Sequence, residues 1–253
     1  MGDLIDILQE TRHLLIFTGA GISTNSGIPD FRGPQGVWQT RQPVYYDEFL
    51  ASEEARIEYW HYKLESWPTM RDAQPNAVHL AIVDLQRAGK LLAVVTQNID
   101  GLHQMAGLPE ERVIELHGTN RWIECLACKR RFDPQPLFDE FSSTSRPPRC
   151  AECAGLLKSA TISFGQSLDP NTLEAAQRAV EECDAVIALG STLSVYPAAG
   201  IPLMAARRGV PYAIINRGPT EHDGLPGVTM RHEGDVGVIF PKAVERSLAD
   251  RAL

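Results

Sequence analysis

The chain has 253 residues, enough to bury a full core, and its 24 Lys and Arg against 32 Asp and Glu leave a formal net charge of -8. That balance excludes a general grip on nucleic acid, which needs clustered cations, and suits a short basic segment better as a partner. No apolar run approaches the ~20 residues of a membrane span, and the acidic, amphipathic stretch Met1 to Glu10 is not a basic leader before an apolar core, so the sequence reads as cytoplasmic.

The first predicted strand is the apolar run His13-Leu14-Leu15-Ile16-Phe17, which feeds the glycine-rich segment Gly19 to Trp38, GAGISTNSGIPDFRGPQGVW. A strand running into such a turn suits an anion. Gly19 and Gly21 are expected to take positive φ angles and expose N–H groups, with the dipole of a following helix behind them. The dinucleotide fingerprint of dehydrogenases is nevertheless incomplete, because Thr24 stands where its third glycine would fall. Asp30, Phe31 and Arg32 follow Pro29 on a loop with too many breakers to be helical. Alone, the segment also fits a purely structural strand-to-helix connection.

Asp47 to Trp67 carries Phe49, Ile57, Trp60 and Leu64 at helical spacing, with Pro68 expected to end the helix. Asn76 to Gly89 predicts a second helix, and Leu91 to Thr96 a buried strand ending in Gln97-Asn98-Ile99-Asp100. Val113 to Leu116 is a short strand leading into His117-Gly118-Thr119. The stretch from about Asn120 to Ser159 differs in character, with Lys129, Arg130, Arg131, several prolines and two C-x-x-C pairs. Alternation then resumes. Thr161 to Phe164 reads as a strand, Leu173 to Cys183 as a helix, and Ala185 to Leu189 as a strand ending in Gly190-Ser191-Thr192. A helix from Ala198 to Gly209 leads to the strand Tyr212 to Ile215, which ends in Asn216. This order predicts an α/β fold, a parallel sheet with helices on both faces. Ligands of such sheets bind beyond the carboxyl ends of the strands, so the polar residues ending these strands are expected to converge on one crevice.

The pairs Cys125/Cys128 and Cys150/Cys153 suit a closed tetrahedral zinc site that leaves no position for substrate, with two disulfides or a redox pair as the other uses of that spacing. Cys183, ahead of an apolar run, reads as inert packing. Taken alone, Gln97, Asn98 and Asp100 serve equally as a turn or helix cap. Among the seven histidines, His117 has the setting of a base, after a strand and before a glycine, although a lone histidine is more often structural. His103 lies near the Asp100 group, and the others, His79 among them, have no comparable setting. The Tyr45-Tyr46 and Tyr59-Trp60-His61-Tyr62 clusters fit helix packing or the lining of an apolar channel.

Taken in order, GAGISTNSGIPDFRG at 19–33, TQNIDGLH at 96–103, ELHGT at 115–119, the two C-x-x-C pairs, SFGQ at 163–166, GSTLSVYPAA at 190–199 and IINRGPT at 214–220 make the chain resemble the sirtuin family of NAD-dependent protein deacylases, its deacetylase-like bacterial members in particular. The resemblance implies a Rossmann-like NAD-binding domain of residues 1–119 and 160–253. It also implies a small inserted zinc-ribbon domain at 120–159, to which the helical segment 40–75 contributes. NAD and an acyl-lysine peptide would lie between the two. By the same resemblance Gly19, Ala20, Gly21 and Ser23 surround the pyrophosphate, while Asp30, Phe31, Arg32 and Trp38 belong to the cofactor-binding loop. Gln97 and Asn98 would hold the nicotinamide ribose and Asp100 the carboxamide. Gly190, Ser191, Thr192, Asn216, Asp235 and Val236 would bind the adenosine half. Phe164 and Gly165 match one wall of a groove for an extended peptide, with Val195 and Tyr196 near the other.

In the implied reaction the acyl oxygen attacks the ribose as nicotinamide leaves, and His117, as general base, activates a ribose hydroxyl. Gln97, Asn98 and Asp100 complete the catalytic group, and the products are nicotinamide, free lysine and O-acyl-ADP-ribose. NAD is consumed, and one zinc ion is structural. Relatives that remove succinyl or malonyl groups carry a Tyr-x-x-Arg pair where this chain has Trp60 and Lys63; the bidentate arginine is missing, so acetyl is the expected acyl group and a longer fatty acyl chain the second choice. The alternatives are a mono-ADP-ribosyltransferase and a catalytically silent NAD or acyl-lysine binding module. No specific nucleic-acid partner and no membrane partner are expected.

Overall fold

The computed structural model describes residues 2–30, 36 and 41–249. In chain order the elements are α1 (Gly2–Glu10), β1 (Leu14–Thr18), α2 (Tyr46–Ala51), α3 (Glu53–Asp72), α4 (Ala77–Arg87), β2 (Leu91–Thr96), α5 (Leu102–Met105), β3 (Val113–Glu115), β4 (Gly118–Cys125), β5 (Arg131–Phe132), α6 (Pro134–Thr144), β6 (Leu157–Thr161), α7 (Pro170–Glu182), β7 (Ala185–Leu189), α8 (Gly200–Arg207), β8 (Tyr212–Asn216), β9 (Met230–Glu233) and α9 (Val236–Ala249). None of the described helices is long and apolar enough to cross a membrane.

Strands β3, β2, β1, β7, β8 and β9 lie side by side in that order, all parallel. Successive side chains of a strand face opposite ways, so each strand feeds two cores. Leu14 and Ile16 of β1 join Leu8 of α1, Ile82 of α4 and Phe240 of α9 on one face; Leu15 and Phe17 join Val180 of α7 and Ile201 of α8 on the other. This is the expected α/β architecture, with the strand order of a Rossmann-like sheet. A second sheet, β5-β4-β6, is antiparallel. Its core combines Ile123, Phe138, Phe141 and Leu157 with Phe49 of α2 and Tyr59 and Trp60 of α3.

Several local expectations change. Thr161 to Phe164 is not a strand of the main sheet: β6 ends at Thr161 and pairs with β4, because the chain is still leaving the small sheet there. The helix expected from Asp47 to Trp67 is divided at Ser52, whose extended backbone ends α2 and whose Oγ accepts from Ala55 N at 3.2 Å to cap α3. Pro68 does not end α3. The hydrogen bond its missing N–H costs is offset by contacts of the last turn with α6, where Trp67 Nε1 and Arg71 Nη1 both donate to Gln135 Oε1, at 2.8 and 3.1 Å. Helices α6 and α9 and strand β9 complete the element order.

Gly19 and Gly21 differ most from expectation. Gly19 has φ -129°, Gly21 is absent from the positive-φ residues, and only short 3₁₀ turns follow, Ala20–Ile22 and Thr24–Ser26. What requires glycine is proximity. The turns after β1 and β7 touch backbone to backbone at the point where strand order reverses: Gly21 N donates to Gly190 O at 2.8 Å, and a Cβ on Gly19 would lie 2.7 Å from that same oxygen. A Cβ on Gly190, itself at φ +62°, would lie 2.5 Å from Ile22 N.

Away from this point, Lys90 is buried and its ammonium donates to the carbonyls of Leu8, Gln9 (2.9 Å) and Thr11 (3.0 Å), closing the carboxyl end of α1. Lys90→Met should therefore lower the unfolding free energy in urea by about 2 kcal/mol, since three buried carbonyls lose a charged donor. Gly190→Ala should cost about 2–4 kcal/mol, because the clash is with main chain and the φ is strained. Gly200→Ala, where a Cβ meets nothing within 4 Å, is the matched control and should be neutral or stabilising.

Candidate active site

A cavity of about 1110 Å³ lies over the reversal of strand order. The segments that end four strands all line it: Gly19–Gly21 after β1, Gln97–Ile99 after β2, Gly190–Thr192 after β7, and Asn216 to Pro219 at the end of β8. His117, Asp30, Asp235 and Val236 line it as well, as do Phe164, Gly165, Val195 and Tyr196. Phe31, Arg32 and Trp38 lie outside the described residues.

Side-chain bonds hold these loops in register. Gln97 Nε2 donates to Ser191 Oγ at 2.8 Å, joining the turn after β2 to the turn after β7 across β1. Asn216 Nδ2 donates to Arg217 O and Gly218 O, shaping the turn after β8. Asp235 accepts from Arg217 Nη2 and from Gly237 N, both at 2.8 Å.

Ser23 and Asp100 do not line the cavity; they brace its wall. Ser23 Oγ donates to Asp100 Oδ2 at 2.8 Å, Asn98 Nδ2 donates to Ser23 Oγ at 3.1 Å, and Leu102 N donates to Asp100 Oδ1 at 3.0 Å. Burial raises the Asp100 carboxyl above its ordinary pKa, with the bonds from Leu102 and Ser23 acting against it. The turn-forming use of Asp100 is thus realised in this arrangement, and its carboxylate faces Ser23.

His117 carries its own orientation. Its Nδ1 lies 3.0 Å from Gln97 O, and a carbonyl only accepts, so Nδ1 holds the proton and Nε2 keeps a free lone pair. Burial holds the imidazole below its ordinary pKa, partly opposed by the Gln97 carbonyl. A neutral ring with one basic nitrogen, on a residue lining the cavity, is a proton acceptor ready for use.

The lining of a channel, one of the two uses the sequence allowed the Tyr59-Trp60-His61-Tyr62 cluster, is realised by part of it. Tyr59, Tyr62 and Lys63, at i, i+3 and i+4, share a face of α3 and line the cavity, whereas Trp60 packs in the small core, 5.5 Å from the Phe138 ring. That helical spacing was the available signal. Lys63 is buried, its ammonium donating to Asn120 Oδ1 at 2.9 Å, and burial pulls it down to about 8. Lys158, whose ammonium lies 5.7 Å from the Tyr59 ring centre against 5.6 Å for that of Lys63, is pulled down to about 7 by burial first and by the charge of Lys63 second. Tyr59 is pushed up to about 12 by burial.

The sulfurs of Cys125, Cys128, Cys150 and Cys153 all lie within 4.8 Å of one another, with Cys125–Cys153 at 3.5 Å and Cys128–Cys150 at 3.7 Å. Disulfides need about 2.05 Å. A thiolate tetrahedron with 2.3 Å metal–sulfur bonds has edges of about 3.8 Å, so the four residues could hold one metal ion. Cys183 is buried, its thiol donating to Val180 O at 3.3 Å, in keeping with packing.

The Sir2 family model matches residues 19–197. An NAD-dependent protein deacetylase of Rhodopseudomonas palustris is 42% identical over 228 residues, covering 90% of each chain. An NAD-dependent protein deacylase 2 of Archaeoglobus fulgidus is 38% identical, covering 95% of this chain and 93% of its own. Among solved structures, a Sir2 variant with deacetylated p53 peptide and 3'-O-acetyl ADP ribose superposes with a TM-score of 0.88 at 36% identity, covering 97% of both chains, and a Sir2 complex with p53 peptide and NAD+ gives 0.85 at 34% identity, covering 100% of this chain and 98% of that one. With its parallel sheet, its four-cysteine cluster and these likenesses, the chain belongs to the Sir2 family, the sirtuins.

Proposed function

We propose that this chain is an NAD-dependent protein-lysine deacetylase that passes the acyl group of lysine to ADP-ribose, giving nicotinamide, free lysine and O-acyl-ADP-ribose. The observation that carries the reading is His117, whose Gln97 contact leaves a basic Nε2 on a residue lining the same cavity as the glycine turns. NAD supplies the ribose carbon that accepts the acyl oxygen. Gly19, Ala20 and Gly21 offer a close-packed backbone surface to its pyrophosphate, Gln97 and Asn98 hold the nicotinamide ribose, and Gly190, Ser191, Thr192, Asn216, Asp235 and Val236 hold the adenosine half. Ser23 and Asp100 act from behind the wall by orienting Asn98. Phe164, Gly165, Val195 and Tyr196 border the place of an extended acyl-lysine peptide. Acetyl is the acyl group that Lys63, which lacks a bidentate fork, suits first.

We read the chain as two units, residues 1–119 with 160–253 and residues 120–159, with 40–75 lending its helices to the smaller; the shared core of Phe49, Tyr59 and Trp60 with Ile123 and Phe138 supports this. Zinc is the metal we assign to the four cysteines, from the all-sulfur donor set and its near-tetrahedral spacing.

Mixing the protein with NAD and an acetyl-lysine peptide should release free lysine and O-acetyl-ADP-ribose in equal amounts; label from NAD appearing on protein instead would favour ADP-ribosyl transfer, and no turnover a silent binder. His117→Ala should lower kcat by about 10²-fold or more. Only the neutral ring accepts a proton and burial lowers its pKa, so kcat/KM should hold at neutral pH and its acid limb should lie below that of an ordinary imidazole. Metal analysis should find about one zinc per chain, and its removal by chelator should melt the β4–β6 region, seen as lost amide protection there.

A further inference from the structure

Two imidazoles outside the residues assigned above are buried side by side, His79 of α4 and His103 of α5, with ring centroids 5.1 Å apart. Each has one ring nitrogen without a hydrogen-bond partner, Nε2 of His79 and Nδ1 of His103. The neighbouring bonds fix which of these is donor and which acceptor. Asn76 N donates to His79 Nδ1 at 3.3 Å, so His79 carries its proton on Nε2. Thr18 Oγ1 donates to Thr96 Oγ1 at 2.8 Å; having given its proton away, it can only accept at its 3.1 Å contact with His103 Nε2, so His103 carries its proton on Nε2. The two unpartnered atoms are therefore a donor on His79 and an acceptor on His103, in rings whose planes are inclined at 61°. At the other end, Thr96 Oγ1 also accepts from the main-chain N–H of Asn98, at 3.0 Å.

We propose that His103 is a positioning residue: it donates to Thr18, Thr18 donates to Thr96, and Thr96 fixes the main-chain N–H of Asn98, so that the Asn98 side chain is held against Ser23 at the cavity wall. The assignment rests on the proposed role of Asn98 at the nicotinamide ribose. Thr18 is fully buried, His103 and Thr96 are 2% exposed, and water has little access to replace a missing link. Burial pulls His79 down to about 4 and His103 to about 3, the latter also by its neighbour His79, which keeps both rings neutral and the donor pattern intact at working pH. Asn76 extends the arrangement to the glycine-rich turn, since its Nδ2 donates to Ile22 O at 2.8 Å and to Ser26 Oγ at 2.9 Å.

The test uses the full chain. Long-range proton–nitrogen spectra should show His103 as the neutral Nε2–H tautomer; the Nδ1–H tautomer or a charged ring at neutral pH would overturn the relay. His103→Leu and Thr18→Val should each lower kcat/KM for NAD about tenfold, with KM for the peptide nearly unchanged, and the double variant should lose no more than either single one. His103→Gln, whose amide N–H reaches the place of Nε2, should recover most of the loss. Wild-type kinetics in His103→Leu, or additive losses in the double variant, would sink the idea. Thr18→Val is nearly isosteric and stands in if the leucine variant does not fold. Should the wild type show no turnover, the Asn98 amide still decides: its shift and hydrogen exchange should move in both variants, and an unmoved Asn98 amide overturns the relay whatever the chemistry of the site.

Discussion

The site depends on the contact between two pieces of main chain. Where the strand order reverses, the turns after β1 and β7 approach so closely that Gly19, Gly21 and Gly190 leave no room for a Cβ on any of them. Excluding side chains there brings main chain to the floor of the cavity, with the N–H groups of Gly19, Gly21 and Gly190 bonded to carbonyls of the neighbouring strand ends and turn. It also sets the reach of everything else: with β1 and β7 adjacent, Gln97 at the end of β2 can span β1 to Ser191, and three strands become one rigid rim. Positive φ, the usual reason for glycine in a turn, applies here only to Gly190.

Around that rim the protein uses buried polar groups as braces. Asn98, Ser23 and Asp100 form one, the Thr18 and Thr96 hydroxyls another, and Gln97 O holds the His117 ring. Each is satisfied by a partner from a different strand or turn, so the loops cannot move independently without leaving a donor or acceptor unpaired. The α3 wall is different in kind. Lys63 and Lys158 both lie near the Tyr59 ring, bonded to an amide oxygen and to main-chain carbonyls, and burial leaves both ammonium groups easier to deprotonate than on the surface.

Much of this was legible in the sequence because it follows from short-range pattern. Leu14 to Thr18, Leu91 to Thr96 and Ala185 to Leu189 are apolar runs bounded by polar or glycine residues, and the polar residues that end them meet in one cavity. What escaped depends on contacts far apart in sequence. Pro68 stays helical because α6 supports the turn that follows it, and Gly19 is glycine because of Gly190, 171 positions later in the chain. His79 and His103 looked ordinary one at a time; their meaning lies in being neighbours in space. Tyr59 and Trp60 are adjacent in sequence and both join the small core, yet only Tyr59 also reaches the cavity, which the packing of the small core decides.

The place of His117 in the chain has a mechanical side. Strands β4 and β6 leave the main sheet as a paired ribbon, Gly118 opposite Thr161, packed so tightly that a Cβ at Gly118 would fall 2.1 Å from Ala160 O. His117 is the residue just before that ribbon begins: its carbonyl takes the N–H of Ile162 at 2.8 Å while its ring is held by Gln97. Main chain and ring of this one residue are thus pinned from different directions, so the junction between the two sheets is also the point at which the imidazole is aimed.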